Sequence, residues 1–446
     1  MHGEPENRSY APPPARADAT FAKITWRLIP FLGLLWILAW IDRVNIGFAK
    51  LQMLGDLKFS ETVYGFGAGV LFVGYFLFEV PSNLLLTRIG ARKTIARITI
   101  GWGVICVLQM FVRTPLQFYV VRFLLGACEA GFYPGIIFYL SAWYPAQRRA
   151  RAFGLFMSAS AIAGVLGGPF AGSVMAGLGG VAGWAGWQWL FLLEGLPSVL
   201  AGFVTLAYLP DRPEEARWLD SEDRRAIAAE LAIDRQDAGP REHHVMSVFA
   251  NPRVWLLIAV FFCLLWANST LTFWAPSIIA EAGFGAPAVG WIAGGAYLVG
   301  AVGMIFNGFD SDRRREVRGH FAFAAALGAV GLALTGMLAN AGPWAVVFAL
   351  VLAITGTMSA IPVFWQLPNR FLAGAAAAAG VAMINSIANL AGAVAPWSLG
   401  VVKDATGHLS AGLVGAALVE ALAVGLVLAA PSLRESAGAP RQALAH

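Results

Sequence analysis

Two arginines, Arg43 and Arg122, and two acids, Asp42 and Glu129, lie inside apolar runs long enough to cross a bilayer. A guanidinium in hydrocarbon costs at least about 2.5–3.5 kcal/mol and persists only with a partner, a water-filled cavity or a ligand. These residue types suggest a chemistry. Guanidinium forks grip carboxylates through paired, charge-assisted hydrogen bonds. A desolvated carboxyl binds its proton more tightly and so can load and release it near neutral pH. Arg122 and Glu129 are seven residues apart, two helical turns, so they share a face about 10 Å apart along the axis. That is too far for a direct pair, and each must look across to another helix. Asp42 and Arg43 are expected at a depth similar to Arg122. Tyr75 has Glu79 one turn further along the same face. The set predicts an anion site coupled to protons. The alternative is that the arginines and acids form ion pairs that lock helices together, and that Glu79 satisfies backbone groups freed by Pro81.

The elements that must hold these residues follow from composition. Of 446 residues, 58% are hydrophobic and 13% charged, about half the charge of a soluble protein. Hydropathy predicts twelve membrane spans, at 26–47, 63–86, 95–113, 116–140, 150–178, 188–210, 253–280, 288–308, 319–339, 344–367, 374–402 and 411–431. Residues 1–24 lack the apolar core of a secretory signal and read as a disordered cytoplasmic tail, with the first span as the insertion signal. Of 31 Lys and Arg, 25 fall on one side of this topology and four (Lys50, Lys58, Arg113, Lys403) on the other, leaving only Arg43 and Arg122. The bias places both termini in the cytoplasm and explains the net charge of +5 without nucleic acid as a partner. Cys106, Cys128 and Cys263 all lie in apolar spans, which argues against disulfides and cysteine metal sites.

The polar stretch 211–252, with a short amphipathic helix expected at about 214–233, divides the chain into a six-span bundle at 25–210 and another at 253–431, followed by a tail at 432–446. The halves echo each other. Arg88-Ile89-Gly90-Ala91-Arg92-Lys93 follows the second span, and Asp310-Ser311-Asp312-Arg313-Arg314-Arg315 follows the eighth. The fold expected is an all-α polytopic membrane protein of two pseudo-symmetric six-helix bundles around a central cavity.

Several motifs carry a family resemblance: Ile41-Asp42-Arg43-Val44-Asn45-Ile46, Gly74-Tyr75-x3-Glu79-Val80-Pro81-Ser82-Asn83 and Arg122-Phe123-x2-Gly126-x2-Glu129-Ala130-Gly131-Phe132-Tyr133-Pro134-Gly135. With them stand Trp187-Gln188-Trp189-Leu190-Phe191-x2-Glu194-Gly195, Leu209-Pro210-Asp211-x-Pro213 and Ala382-x2-Asn385-Ser386-x2-Asn389-Leu390. From about residue 22 to 431 the chain resembles the major facilitator superfamily, and within it the anion:cation symporters, a group of tartrate, phthalate, hexuronate, galactonate and vesicular glutamate carriers. Thr87 departs from the family pattern, which usually has an aspartate there, so the loop charge relay is expected to be weaker in the first half and kept at Asp310 and Asp312.

The resemblance implies that Arg43 and Arg122 engage the substrate or gate it and that Asp42 and Glu129 carry the proton; Glu79, on the face of Tyr75, is read as a further proton-coupling acid. It makes Asn385 a substrate contact and Trp365 a lining aromatic, while Tyr75 is assigned to orienting the substrate. The second half is expected to offer only neutral groups. Glu194 is expected to be a structural partner of the Trp187–Trp189 loop. These expectations add up to a monomeric, proton-coupled importer of a small organic anion in a bacterial inner membrane, working by alternating access with no cofactor beyond protons. The rivals are an uncoupled facilitator or exporter and a transporter-like sensor. The glycine run Gly164-x2-Gly167-Gly168-Pro169 lacks the Gly-Lys-Ser/Thr of a phosphate loop, and no nucleophile–base–metal set suggests an enzyme.

Overall fold

A computed structural model describes residues 14–237, 251–368 and 374–430. Residues 1–13, the later part of the central loop, Arg370, and the tail with Arg434 and Arg441 lie outside the described residues. The described chain is helical: α1 (Pro14–Leu57), α2 (Glu61–Ile89), α3 (Ala91–Leu108), α4 (Pro115–Glu129), α5 (Phe132–Trp143), α6 (Ala146–Met157), α7 (Ala159–Gly177), α8 (Gly186–Tyr208) and α9 (Ser221–Asp237). There follow α10 (Pro252–Glu281), α11 (Ala286–Arg314), α12 (Arg318–Met337), α13 (Pro343–Phe364), α14 (Gly374–Ala388), α15 (Ala391–Thr406) and α16 (Ser410–Ala429). Eleven stretches among the described residues are long and apolar enough to cross a membrane, α4–α5 and α6–α7 each counting as one. The span expected at 374–402 is present as two shorter helices, α14 and α15.

Two compact units make up the chain. Unit 1 holds the described residues of Met1–Glu242 with Thr272–Leu298 and Gly392–Leu409; unit 2 holds those of His243–Leu271, Val299–Ala391 and Ser410–His446. Unit 1 therefore takes in parts of α10, α11 and α15 beyond the expected first bundle. Its core is aromatic, with Trp36, Trp102, Phe132, Tyr139, Trp143 and Phe156 all buried. The core of unit 2 is built around Phe261, Phe321 and Phe364, with Phe261 stacked on Phe364 at 4.4 Å.

Local rules set the helices that carry the charged cluster. Thr114 and Gln117 close a reciprocal capping box and Pro115 takes the first helical position, so α4 starts where the sequence signals it. It ends at Glu129, because Gly131 adopts φ +87°, a left-handed conformation open to glycine at little strain. Phe132 then restarts the chain as α5, held between Trp36 (6.1 Å, stacked) and Trp102 (4.8 Å, edge-on). Helices α2 and α4 cross at two glycines. A Cβ on Gly126 would stand 1.9 Å from the Leu71 carbonyl oxygen, and one on Gly74 2.2 Å from that of Phe123. No other residue type permits backbones that close, and the crossing brings Tyr75 against α4.

The stretch expected to be a disordered tail is helical from Pro14 onward. At 1.5 Å per residue, α1 is about 66 Å long, roughly twice the hydrocarbon thickness. Its first turns clasp α9, which begins later than the helix expected from the sequence. Asp223 accepts hydrogen bonds from Thr20 Oγ1 (2.8 Å), Lys23 Nζ (2.9 Å) and Arg16 Nη2 (3.2 Å). Burial opposes its charge, but the Lys23 and Thr20 hydrogen bonds outweigh this and hold the carboxyl below its ordinary value. Arg148 adds a two-pronged pair to Glu230, at 3.0 and 3.2 Å.

Candidate functional site

At the centre of unit 1, α1 presents two adjacent charged residues to different neighbours. Arg43 pairs with Glu129 at the end of α4. Its guanidinium also lies 5.7 Å from the centre of the Tyr75 ring and 6.0 Å from that of Trp40, within cation–π range. Asp42 instead meets α3 and α8. Its Oδ2 accepts from Ser198 Oγ at 2.8 Å and its Oδ1 from Cys106 Sγ at 3.3 Å, and the residue is 2% exposed. The sequence-level alternative of paired Asp42–Arg43 and Arg122–Glu129 is therefore replaced by Arg43–Glu129, reached across helices. Glu129 is the last residue of α4, where carbonyls and the helix dipole already concentrate negative charge, so a carboxylate there depends on the arginine opposite.

Arg122 is fully buried. Its Nε donates to the Gly67 carbonyl of α2 at 3.2 Å, and its two terminal nitrogens have no hydrogen-bond partner among the described residues. Five N–H donors on a planar fork with one bond made is an unusual state for a buried cation. Tyr75 and Glu79 are half-buried on α2. Arg43, Tyr75 and Glu129 thus come together, with Asp42 behind them and Arg122 on the α2–α4 seam.

Trp365 and Asn385 belong to unit 2. Trp365 stands edge-on to Phe261 at 4.9 Å, and Asn385 is half-buried with its backbone carbonyl accepting from Asn389 Nδ2 at 2.8 Å. The acids expected in a loop of this half, Asp310 and Asp312, lie instead near the end of α11, and both are engaged. Asp310 pairs with Arg314 (2.9 Å) and His320 (3.0 Å), and Asp312 accepts from Gln366 (3.0 Å).

Three charged residues are not where the sequence reading put them. Lys50, counted as a loop residue, is 4% exposed on α1 and so joins Arg122 as a buried cation. Its ammonium lies 2.7 Å from Glu61 and 3.6 Å from the centre of the Trp274 ring, in a network that Lys403 joins through Glu61 (2.5 Å) and Glu281. Charge counting missed it because α1 continues past the apolar run. Glu420 corrects the expectation of a neutral second half. It is fully buried on α16 and accepts from Thr357 Oγ1 at 2.8 Å. Its signal was a lone Glu in an Ala/Leu/Val run. Glu194 does not serve the tryptophan loop. Trp187 donates to Asp56 (2.8 Å) and Trp189 to the Val181 carbonyl (3.1 Å), while the Glu194 carboxyl is buried with no hydrogen-bond partner among the described residues.

Apolar crossing helices broken beside a buried cluster of arginines and acids describe a polytopic membrane transporter, not an enzyme. Residues 32–396 match the Major Facilitator Superfamily, and the chain belongs to that family. It is 44% identical over 416 residues to a Pseudomonas putida protein named "Putative metabolite transport protein NicT", covering 93% of this chain and 95% of that one. It is 46% identical over 391 residues to a "Putative tartrate transporter" of Agrobacterium vitis, covering 88% and 86%. The fold is shared with a bacterial homologue of the human lysosomal transporter Spinster, solved in an inward-facing, occupied conformation. The TM-score there is 0.74 at 15% identity, over 96% of this chain and all of that one.

Proposed function

We propose that this protein imports a small organic anion by proton symport across a bacterial inner membrane, as a monomer with both termini in the cytoplasm. The observation that carries the proposal is the buried Arg122 guanidinium, whose terminal nitrogens have no hydrogen-bond partner among the described residues. A carboxylate satisfies such a fork with two parallel hydrogen bonds and cancels its charge. The Arg43–Glu129 pair supplies the coupling. An anion that draws Arg43 away leaves Glu129 as an unpaired carboxylate at a helix C-terminus, and a proton is the cheapest replacement. Loading the anion and loading the proton then favour each other, and neither charge crosses the membrane alone. Asp42 acts as a further proton carrier, Tyr75 orients the anion, and Glu79 lies on the proton's route. Asn385 and Trp365, on the family resemblance, contact the substrate's uncharged parts. The similarity to a protein named for tartrate makes hydroxylated dicarboxylates the first substrates to try.

The test is uptake of tartrate, other dicarboxylates, sugar acids and aromatic acids into proteoliposomes, with and without an inward proton gradient. Uptake should accumulate substrate only with the gradient. Arg122→Ala should abolish it, and Glu129→Gln should exchange substrate across the membrane without concentrating it. Accumulation independent of the gradient, or full activity in Arg122→Ala, refutes the reading.

A further inference from the structure

Arg97 is a third arginine inside an apolar span, and neither the anion site nor the proton coupling uses it. It sits six residues into α3, about 9 Å along the helix axis. The apolar stretch Ala91–Phe111 has 21 residues, so it is about 30 Å long and only just matches the hydrocarbon thickness. Arg97 is therefore rooted below the membrane surface, where a long cationic side chain would ordinarily snorkel back toward the headgroups. Ser82 holds it down. That residue stands seven positions before the end of α2, about 10 Å deep, and its Oγ accepts from Arg97 Nη2 at 2.9 Å. Ser82 is buried, and a Cβ on Gly131 would stand 2.4 Å from its Oγ, so the glycine after α4 leaves the room its hydroxyl needs.

The guanidinium lies on an outward face. Arg97 is exposed, as are Val104 and Leu108 two and three turns along the same stripe of α3, with Gly101 between them. Gly101 packs on α4, where its Cβ would stand 3.3 Å from Cys128 Sγ. One and two turns back from Cys128, Leu124 and Val120 are exposed as well. Gly101 adds no side chain, so the two apolar stripes border a furrow that runs from Arg97 into the membrane.

Nothing in the protein cancels this charge. Ser82 is neutral, and Arg97 makes no ion pair among the described residues, whereas Arg92, Arg148 and Arg149 toward the same membrane surface all meet carboxylates. A guanidinium against hydrocarbon without a counter-charge is costly. Lys93, one turn nearer the surface on the same face, is exposed and also without an ion pair among the described residues. Two cations in line repel the ammonium of a zwitterionic headgroup and attract a headgroup of net negative charge.

We propose that the furrow between α3 and α4 binds an anionic phospholipid, its phosphate on Arg97 and an acyl chain along Gly101, Val104 and Leu108. Four of the five guanidinium N–H donors remain after Ser82 takes one, enough to grip two phosphate oxygens side by side. Ser82 sets the depth of the phosphate, and Lys93 adds attraction nearer the surface. In the proposed topology this is the cytoplasmic leaflet, but the binding depends on neither that orientation nor proton coupling.

The test is native mass spectrometry of the purified full-length protein, stripped of lipid and titrated with phosphatidylglycerol or with phosphatidylcholine of the same acyl chains. Wild type should hold its tightest phosphatidylglycerol in preference to phosphatidylcholine. Arg97→Gln should weaken that binding about tenfold or more, the effect of losing hydrogen bonds between charged groups. Arg113→Gln, beyond the other end of α3, should leave it unchanged. Excess inorganic phosphate, or glycerophosphoglycerol, which is the headgroup without chains, should not displace the lipid. Equal binding by wild type and Arg97→Gln, no preference over phosphatidylcholine, or displacement by either soluble phosphate overturns the proposal. Should Arg97→Gln fail to fold, Lys93→Gln must cut the preference about fivefold, the effect of one basic residue near anionic lipid, and an undiminished preference is equally fatal.

Discussion

Gly126→Ala tests whether the α2–α4 crossing positions the transport chemistry. The added methyl would sit 1.9 Å from the Leu71 carbonyl oxygen, 2.8 Å from its carbon and 3.0 Å from the Tyr75 nitrogen. Carbon–oxygen contacts in proteins close to about 3.3 Å at best, so the two helices must part by about 1.4 Å. All three colliding atoms are backbone, and no rotamer change relieves them. Overpacking of this kind costs about 1–3 kcal/mol, enough to lower the melting temperature without preventing folding. The larger effect should be on function. Gly126 stands one turn after Arg122 and three residues before Glu129, so parting the helices moves both relative to Gly67 and Tyr75. Displacements of about 1 Å in a reacting geometry can cost on the order of a hundredfold, and uptake should fall at least tenfold. The assay is uptake in proteoliposomes beside thermal melting of the purified protein, with Gly425→Ala as control. A Cβ at Gly425 meets nothing within 4 Å, so that variant should be unchanged or, from helix propensity, stabler by up to about 1 kcal/mol. Wild-type uptake and melting in Gly126→Ala would refute the argument. Rescue by Leu71→Ala would do so too, since trimming a side chain cannot relieve a backbone clash.

Two further predictions concern charge away from Arg43 and Glu129. The Asp223 carboxyl is held below its ordinary 3.8, so its contribution to docking α9 is complete above that pH and lost as the pH falls through the lower, folded value. With half-exposed cationic partners that contribution is about 1 kcal/mol. Asp223→Asn should speed amide exchange in α9 about fivefold at neutral pH, and an unchanged rate counts against the clasp. In unit 2, Thr357→Ala removes the donor to a buried carboxyl and should cost about 1–3 kcal/mol, whereas Glu420→Gln keeps an acceptor for Thr357 and should cost less. Thermal melting decides, and the reverse order refutes the assignment.

What the sequence made legible was one-dimensional. Apolar runs set the spans, and the Thr114-Pro115-x-Gln117 text set the start and hence the register of α4, so the depths of Arg122 and Glu129 followed. Direction around the helix axis did not follow. Whether Glu129 turns toward α1 or α2 depends on crossing angles fixed by Gly74 and Gly126, which only the folded chain reveals. The same gap separated the neighbours Asp42 and Arg43, which in a helix point about 100° apart and so serve different partners. Lys50 was hidden for another reason. Hydropathy ends a span where polar residues begin, but α1 goes on to Leu57, and the lysine is buried by Glu61, Lys403 and Trp274 from remote parts of the sequence.

The break after Glu129 also bears on why an acid, and not a second arginine, faces Arg43. A continuous helix at this depth would satisfy its own carbonyls and leave a side chain's charge to its partner alone. Ending α4 at Ala130 and Gly131 puts the negative end of a helix at the acid. Phe132, stacked on Trp36 and edge-on to Trp102, anchors the chain where it restarts after the break. On the proposed coupling, a helix break at this position makes the Arg43–Glu129 pair one that responds to whatever competes for its arginine.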